Sequence, residues 1–381
     1  MKVALLITDN REPDRQYGLG MPYFGTAPEA LLQGFANLPS LEIHIVSCAQ
    51  QPMKSPAKLA DNIFFHHLHV PKIGWLKTAY QGCIRAVRRK LREIQPDIVH
   101  GQGTERDCAI SAVLSGYPNV LTIHGNMAAI ARHVRARAGS FLWLTGHIEN
   151  WTLPRTFGVF CNSTYTESLV RPRNPRTWAV PNALRPAFLA PVPPHPPQNP
   201  LRFINIGIVC PYKRQIELVD LFKRLHEQGR PCQIEFLGRV NENEPYGRDF
   251  LQAIHKPGAS AYAIYSGFRE AASLIETMDQ ADGCIHFSSE EAFGLVVAEA
   301  LARNLKFFGA NAGGIRDIAN SVDGAELFAP NDWEGLERAL LRWTSEGCPH
   351  PTGAAQIMAQ RYHPQVVAQR HLEIYREVLK K

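Results

Sequence analysis

Several things are missing from the 381-residue chain, and each gap removes a class of protein. Its eight cysteines, at 48, 83, 108, 161, 210, 232, 284 and 348, are scattered and form no Cys-x-x-Cys pair. That usage excludes a zinc ribbon and suits buried thiols in a reducing compartment better than a disulfide framework. No apolar run approaches the length that spans a bilayer. The N-terminal "MKVALLITDNREPDR" has an apolar stretch too short for a secretory signal, with acids and bases following at once. The expectation is a cytoplasmic protein. Internal repeats and low-complexity tracts are absent, as is any nucleic-acid recognition motif, so neither a solenoid nor a nucleic-acid module is expected.

What is present points to two domains, the better prior at this length. The net charge of +6 is unevenly spread. Residues 1–190 hold 21 of the 41 Lys and Arg and 12 of the 35 Asp and Glu, a net of +9, which leaves 20 minus 23, or −3, for the remainder. The excess gathers in 72–92 and 132–137, so the first half is expected to meet something anionic.

Short β-branched runs alternate with longer helical patterns. Strands are expected at "VALLIT", "EIHIVS", "IFFHHL", "DIVHG", "VLTIHG" and "VFCNS", then at "RFINIG", "QIEFLG", "AIYSGF", "GCIHFS" and "KFFGA". Helices are expected over 27–38, 79–94, 213–228, 269–280 and 291–303. This alternation implies parallel sheets covered on both faces. It pauses at the proline-dense "NALRPAFLAPVPPHPPQNP", which neither helix nor central strand tolerates. The expected organisation is a doubly wound domain over 1–185, a stiff linker over 186–200, a second such domain over 201–361 and a closing helix over 362–381. Ligand crevices in such sheets lie at the carboxyl ends of the strands, where Gly207, His124 and the loop from Ser288 to Glu291 stand.

The stretch "SSEEAFGLVVAEALARN" sets Glu291 ahead of an expected amphipathic helix from about 294 to 303, and Glu299 within it. Unpaired amides at the start of a helix can receive a phosphate, and carboxylates accept well from sugar hydroxyls. Two glutamates on one helix are also common as a first-turn acid and a solvated side chain. The wider segment, "SSEEAFGLVVAEALARNLKFFGANAGGIRDI", resembles the signature of the retaining nucleotide-sugar glycosyltransferases of family 4, which share the GT-B fold. The matching positions are Ser288, Glu291, Phe293, Gly294, Glu299, Gly313, Gly314 and Asp317. "DIVHGQGT", "VLTIHG", "AVPNALRPAF" and the closing "RYHPQVVAQRHLEIYREVLKK" extend the resemblance nearly end to end.

The resemblance implies two Rossmann-like domains facing across a cleft, with the closing helix crossing back to the first. It also implies transfer of a sugar from a UDP- or GDP-linked donor to an acceptor hydroxyl, with retention and with no cofactor beyond the donor substrate. Glu299 would hold the ribose hydroxyls and Glu291 the donor sugar. Gly294 and Leu295, beside Phe293, would offer amides, Lys213 would bind the diphosphate, and His124 would lie against the donor sugar. His100 is a second candidate, on the acceptor side. Two departures stand out. Ile208 occupies the position of the family arginine, leaving Arg214 or Arg239 as second cation. "FGTAPEALLQGF" keeps Gly25 but has Thr26 for the second glycine of a pair, with Gly18 and Gly20 upstream.

No Asp-x-Asp occurs, so the metal-clamped diphosphate of the other large glycosyltransferase fold is not expected. His66, His67 and His69 lie on one strand without a nearby carboxylate or cysteine in sequence, and no metal site is expected there. The basic patches, with Trp75, Leu76, Tyr80, Ile84, Val87 and Leu91 between the cations, suggest a glycan or lipid-linked glycan acceptor and peripheral contact with an anionic membrane. A nucleotide-sugar epimerase or hydrolase on the same fold, or a binding protein without catalysis, are the rival expectations.

Overall fold

The computed structural model describes residues 1–193, 196–230 and 232–380. Pro194 and His195 of the expected linker, Pro231, and Lys381 of the expected closing helix lie outside the described residues. The chain divides into two compact units, Met1–Arg185 with Tyr362–Lys381, and Pro186–Arg361.

In the first unit one sheet is built from β1 (Lys2–Leu6), β2 (Glu42–Ala49), β3 (Lys58–Ala60), β4 (Ile63–His69), β5 (Ile98–Gln102), β6 (Asn119–Ile123), β7 (Val159–Cys161) and β8 (Thr177–Ala179). The order is β3-β4-β2-β1-β5-β6-β7-β8. Only the β3–β4 pair is antiparallel. Alternation along β1 explains the layering. Val3 and Leu5 join one apolar cluster with Phe35 and Tyr375, while Ala4 and Leu6 join another with Ile84, Val87 and Leu91. Successive side chains point to opposite faces, and both faces are covered by helices.

The second unit contains β9 (Leu201–Ile206), β10 (Cys232–Leu237), β11 (Ala263–Gly267), β12 (Gly283–His286), β13 (Lys306–Ala310) and β14 (Ala325–Phe328). These form an all-parallel sheet ordered β11-β10-β9-β12-β13-β14. Its core is aromatic: Phe203 meets Phe222 at 5.4 Å and Trp343 at 5.8 Å between ring centroids. Each unit is thus a doubly wound, Rossmann-like α/β domain.

The sequence pattern missed β3, β8 and β14, which are three or four residues long and lie at or next to sheet edges with little full burial. Such strands carry almost no alternating apolar signal. The proline-dense segment also differs from a free linker at its start. Pro186–Leu189 form a 3₁₀ turn with Phe188 buried. Arg303, salt-bridged to Asp279 at 2.7 Å, donates to the Ala190 carbonyl at 2.6 Å and pins that turn to the second unit.

The helix Pro364–Leu379 packs on the helix Thr26–Ala36. They approach so closely at Gly34 that a Cβ there would lie 2.2 Å from the Pro364 carbonyl oxygen. Helix propensity alone favours Gly34→Ala by about 1 kcal/mol. Overpacking against backbone opposes it by about 1–3 kcal/mol and should win. The variant is expected to melt several degrees lower and to release its C-terminal helix faster under limited proteolysis. An unchanged or raised Tm would contradict the close packing.

Candidate active site

In the second unit the strand order reverses between β9 and β12, the switch point at which doubly wound sheets leave a crevice. The chain leaving β9 passes Gly207 and the 3₁₀ turn Pro211–Lys213. The chain leaving β12 passes Ser288 and Glu291. Ser289 N–H and Ser288 Oγ both donate to the Tyr212 carbonyl, at 2.8 and 3.1 Å, so the two loops are laced together. There Lys213 Nζ pairs with Glu291 Oε2, and His286 Nε2 lies 2.9 Å from the same oxygen.

The electrostatics of this trio follow from its burial. Burial pushes the Glu291 carboxyl up, but the Lys213 charge and the His286 hydrogen bond outweigh it and hold the group at about 2. Burial and then the Lys213 charge push His286 down, so its ring is neutral. Its Nε2 also lies 3.2 Å from Lys213 Nζ. The shorter, charge-assisted bond to the carboxylate puts the proton on Nε2. Lys213 keeps N–H donors beyond the one given to Glu291, since an ammonium has three.

Two glycines permit this arrangement. Gly294 has φ +96° and starts the helix Leu295–Ala302. Gly313 has φ +53°, and a Cβ there would sit 2.0 Å from the Glu291 carbonyl oxygen, which instead accepts from Gly314 N–H at 2.9 Å. The helix start therefore lies just past Glu291, where the first amides precede any intrahelical carbonyl. Leu295 is partly exposed there, whereas Phe293 and Glu299 are only 3% exposed. The helix is not amphipathic as expected: Val297 to Ala302 are all buried, because it fills the space beside β12 and β13. Arg214, in the left-handed region, donates to the Pro330 carbonyl. Arg239 is exposed and lies over the Phe268 ring at 4.9 Å, and Ile208 is 61% exposed.

In the first unit His124 follows β6. Its Nε2–H donates to Gln102 Oε1 at 2.9 Å. Gln102 Nε2 donates in turn to His100 Nε2 at 3.3 Å, and His100 Nδ1–H donates to the Tyr375 hydroxyl at 2.6 Å. Thr122 Oγ1 also reaches His100 Nε2, at 2.7 Å. With the Gln102 amide oxygen facing His124, His124 carries its proton on Nε2 and His100 carries its own on Nδ1. Burial holds His124 down at about 4 and His100 well below its ordinary range, so both rings are neutral. His124 thus keeps an Nδ1 lone pair.

Glu105 lies close to His124. Gly125 N–H donates to Glu105 Oε1 at 3.2 Å, and a Cβ on Gly103 would touch both Glu105 Oε2 and the His124 ring. Burial raises its carboxyl to about 7. Glu149, fully buried, accepts from Met127 N–H, Thr104 Oγ1 and Arg173, each within 2.9 Å, and so fixes the segment after His124. Gly25 starts the helix Thr26–Ala36 with φ +85°, and the exposed Gly18 and Gly20 lie in the preceding turns. Sequence reasoning missed His286, Gln102, Glu105, Glu149 and Tyr375. The first two stood within quoted strands, but nothing local marks a polar strand residue whose partner is brought to it by the folding of a loop.

Other expectations resolve differently. His66 stacks on His44 at 5.2 Å, while His67 points elsewhere. All eight cysteines are free, and Cys48, Cys83 and Asp107 bring ligand-type atoms within 4.8 Å of one another. The Cys83 contact and then burial push the Cys48 thiol well up, while Cys83, lowered by its hydrogen bond to Cys48, is raised on balance by burial. The aromatics of the first basic patch are not exposed. Trp75, Tyr80, Ile84, Val87 and Leu91 are buried against the sheet, which leaves a solvated basic face on the helix Gln81–Ile94. Among the described residues no helix is long and apolar enough to cross a membrane.

Two outcomes test this geometry. Glu291 has a folded pKa below its ordinary 4.5, so its pairing stabilises the fold above about pH 4.5 and that contribution is lost as pH falls toward 2. Lys213→Met should therefore destabilise by between about 1 and 4 kcal/mol at neutral pH, with the gap from wild type closing below about pH 4. A gap independent of pH would contradict the pair. Gln102→Leu should convert the single Nε2–H tautomer of His124 into a mixture, read from imidazole nitrogen shifts by NMR. An unchanged tautomer would contradict the hydrogen-bonded chain.

Residues 31–188 match the model of glycosyltransferase family 4, and residues 192–358 match that of glycosyl transferases group 1. No curated protein matches the chain. Among solved structures, sucrose-phosphate synthase from Thermosynechococcus elongatus is 14% identical over 100% of this chain and 99% of that one, with a TM-score of 0.76. HepE of Anabaena in complex with UDP is 16% identical, covering 99% and 100%, with a TM-score of 0.69. The lipopolysaccharide outer core galactosyltransferase WaaB is 15% identical, covering 99% and 100%, with a TM-score of 0.70. At such identities the structures speak for the fold, and the two family models, one for each half, speak for the activity. The chain is a glycosyltransferase of the GT-B fold.

Proposed function

We propose that the protein is a retaining glycosyltransferase that moves a sugar from a UDP- or GDP-linked donor to a hydroxyl of a glycan or lipid-linked glycan, in cell-envelope or exported-glycan synthesis. The observation that carries this is the Lys213–Glu291–His286 trio at the β9/β12 switch point, directly ahead of a helix start. The HepE structures, with UDP and with UDP-glucose, favour a uridine donor.

In this reaction the bond from the anomeric carbon to the diphosphate oxygen breaks and a bond to the acceptor oxygen forms on the same face. The acceptor proton leaves with the departing diphosphate. Lys213 and the amides of Gly294 and Leu295 stabilise the charge that develops on the diphosphate. Glu291, ionised at any working pH, cannot act as an acid; it accepts from sugar hydroxyls and steadies positive charge at the anomeric carbon. Glu299 takes the ribose hydroxyls, Phe293 braces the loop, Arg214 or Arg239 adds a second cation, and Gly25 lets the donor approach backbone. His124, neutral with a bare Nδ1, accepts from a donor-sugar hydroxyl. The first unit binds the acceptor, and its exposed Arg85, Arg88, Arg89 and Arg92, beside the 81% exposed Ile73, suit the anionic cytoplasmic face of a membrane.

Titration calorimetry with UDP and GDP tests the donor assignment. One of them should bind, and Glu299→Gln and Lys213→Ala should each weaken it at least tenfold, about 1.4 kcal/mol. Transfer from the matching sugar nucleotide should survive EDTA, because the chain has no Asp-x-Asp clamp. Equal affinity in both variants, or release of free or epimerised sugar with no transfer to any acceptor, would overturn the proposal.

A further inference from the structure

A groove of about 620 Å³ opens in the first unit between the helices Met127–His133, Phe141–Thr152 and Thr164–Val170. The volume suits a small ligand. Its floor is made of small residues, Ala128, Ala131 and Gly146, packed so tightly that a Cβ on Gly146 would lie 3.2 Å from the Ala128 Cα. One wall is Trp143, partly exposed, with the His147 ring at 3.9 Å between centroids. His147 Nδ1–H donates to the Trp143 carbonyl at 2.7 Å, so the two rings hold one another in place and Nε2 is left as the other polar atom.

Cations also line the groove. Arg173 is fixed by Glu149 at 2.9 Å and Asn150 Oδ1 at 2.8 Å. Arg132 and Arg135, one turn apart and exposed, meet no carboxylate among the described residues. Arg135 sits just past the helix end in the left-handed region, at φ +50°. One guanidinium fork saturates a carboxylate, whereas two such cations side by side match a phosphate dianion. An aromatic wall beside small residues suits the apolar face of a sugar ring. The groove is also linked to the segment after His124 through Glu149, which grips Arg173 on one side and the Met127 amide, three residues after His124, on the other.

We propose that this groove binds a phosphate-bearing sugar, its ring on Trp143 and its phosphate between Arg132 and Arg135, as the acceptor-side site of the transfer. The proposal rests on the glycosyltransferase function given above. The ligand is either a free sugar phosphate or the phosphosugar-like head of a lipid.

The probes are glucose 6-phosphate, followed by NMR or calorimetry, and phosphatidylcholine vesicles carrying phosphatidylinositol or, as control, phosphatidylglycerol, followed by co-sedimentation. Wild type should bind glucose 6-phosphate or the phosphatidylinositol vesicles. Arg132→Ala/Arg135→Ala should lose at least tenfold and Trp143→Leu several-fold, with UDP or GDP affinity and thermal stability kept. Binding to glucose 6-phosphate alone identifies a free sugar phosphate, and binding to phosphatidylinositol vesicles alone identifies a lipid head. Vesicle binding equal for both anionic lipids and retained in Trp143→Leu shows charge attraction only and overturns the proposal, as does binding of neither probe. Loss of nucleotide binding in wild type, with the groove still occupied, would sink the donor assignment and leave the groove standing.

Discussion

The ion pair between Lys213 and Glu291 organises the second unit's chemistry, because it joins two loops that the topology separates by 78 residues. A carboxylate so little exposed is tolerable only beside a cation. The pair therefore sets the path of both loops after β9 and β12. His286 completes it from the end of β12, buried and neutral, giving Glu291 a second donor without adding a second positive charge. The backbone conforms to this requirement: Gly313 lies against the Glu291 carbonyl, and Gly294 turns the chain directly into a helix. A side chain at either position would push the carboxylate away from the lysine.

The first unit solves its polar problem differently. It concentrates positive charge on its surface, yet the buried rings that run from His124 to Tyr375 are kept uncharged. His100, His124 and His371 are all driven down by burial, and the Tyr375 hydroxyl is driven well up. Neutral groups can be buried in number if they hydrogen-bond to one another, and in the chain from Tyr375 to His124 each member has a partner. Tyr375 comes from the C-terminal helix, so the orientation of His124 depends on a residue contributed from the far end of the sequence.

Legibility in the sequence followed the range of the interactions. Parallel strands with both faces covered announce themselves as short apolar runs, and the doubly wound class could be read from the alternation of runs such as "VALLIT" and "KFFGA" with helical patterns. Gly294 and Gly313 were visible through the motif they belong to. Edge strands such as Ala325–Phe328 were not, since partial burial leaves no alternation to detect. The buried side of the helix Gln81–Ile94 was also ambiguous. Its pattern placed Trp75 and Tyr80 among cations, and only packing against the sheet shows that these rings are core rather than surface. His286 and Gln102 were invisible as functional groups for a related reason: a buried polar residue in a strand is identified by its partner, and both partners arrive from other loops.

The two units also treat carboxylates in opposite ways, and that contrast suggests a division of labour. Glu291 is held ionised by a lysine, at about 2, and so offers a permanent negative charge. Glu105 is raised to about 7 because it lies in protein beside a neutral histidine and near the carboxylate of Glu149, with only backbone N–H groups to oppose the rise. Divergent environments of this kind mark groups with different tasks. A fixed charge suits the steadying of positive charge, whereas a carboxyl poised near neutrality can donate or accept a hydrogen bond without adding a permanent charge. Net charge follows the same division, positive over the first half of the chain, where the acceptor is assigned, and slightly negative over the second. On the proposed function, an anionic acceptor would be drawn to one unit, while the donor diphosphate would be retained in the other by Lys213, a neighbouring arginine and helix amides rather than by a general excess of positive charge.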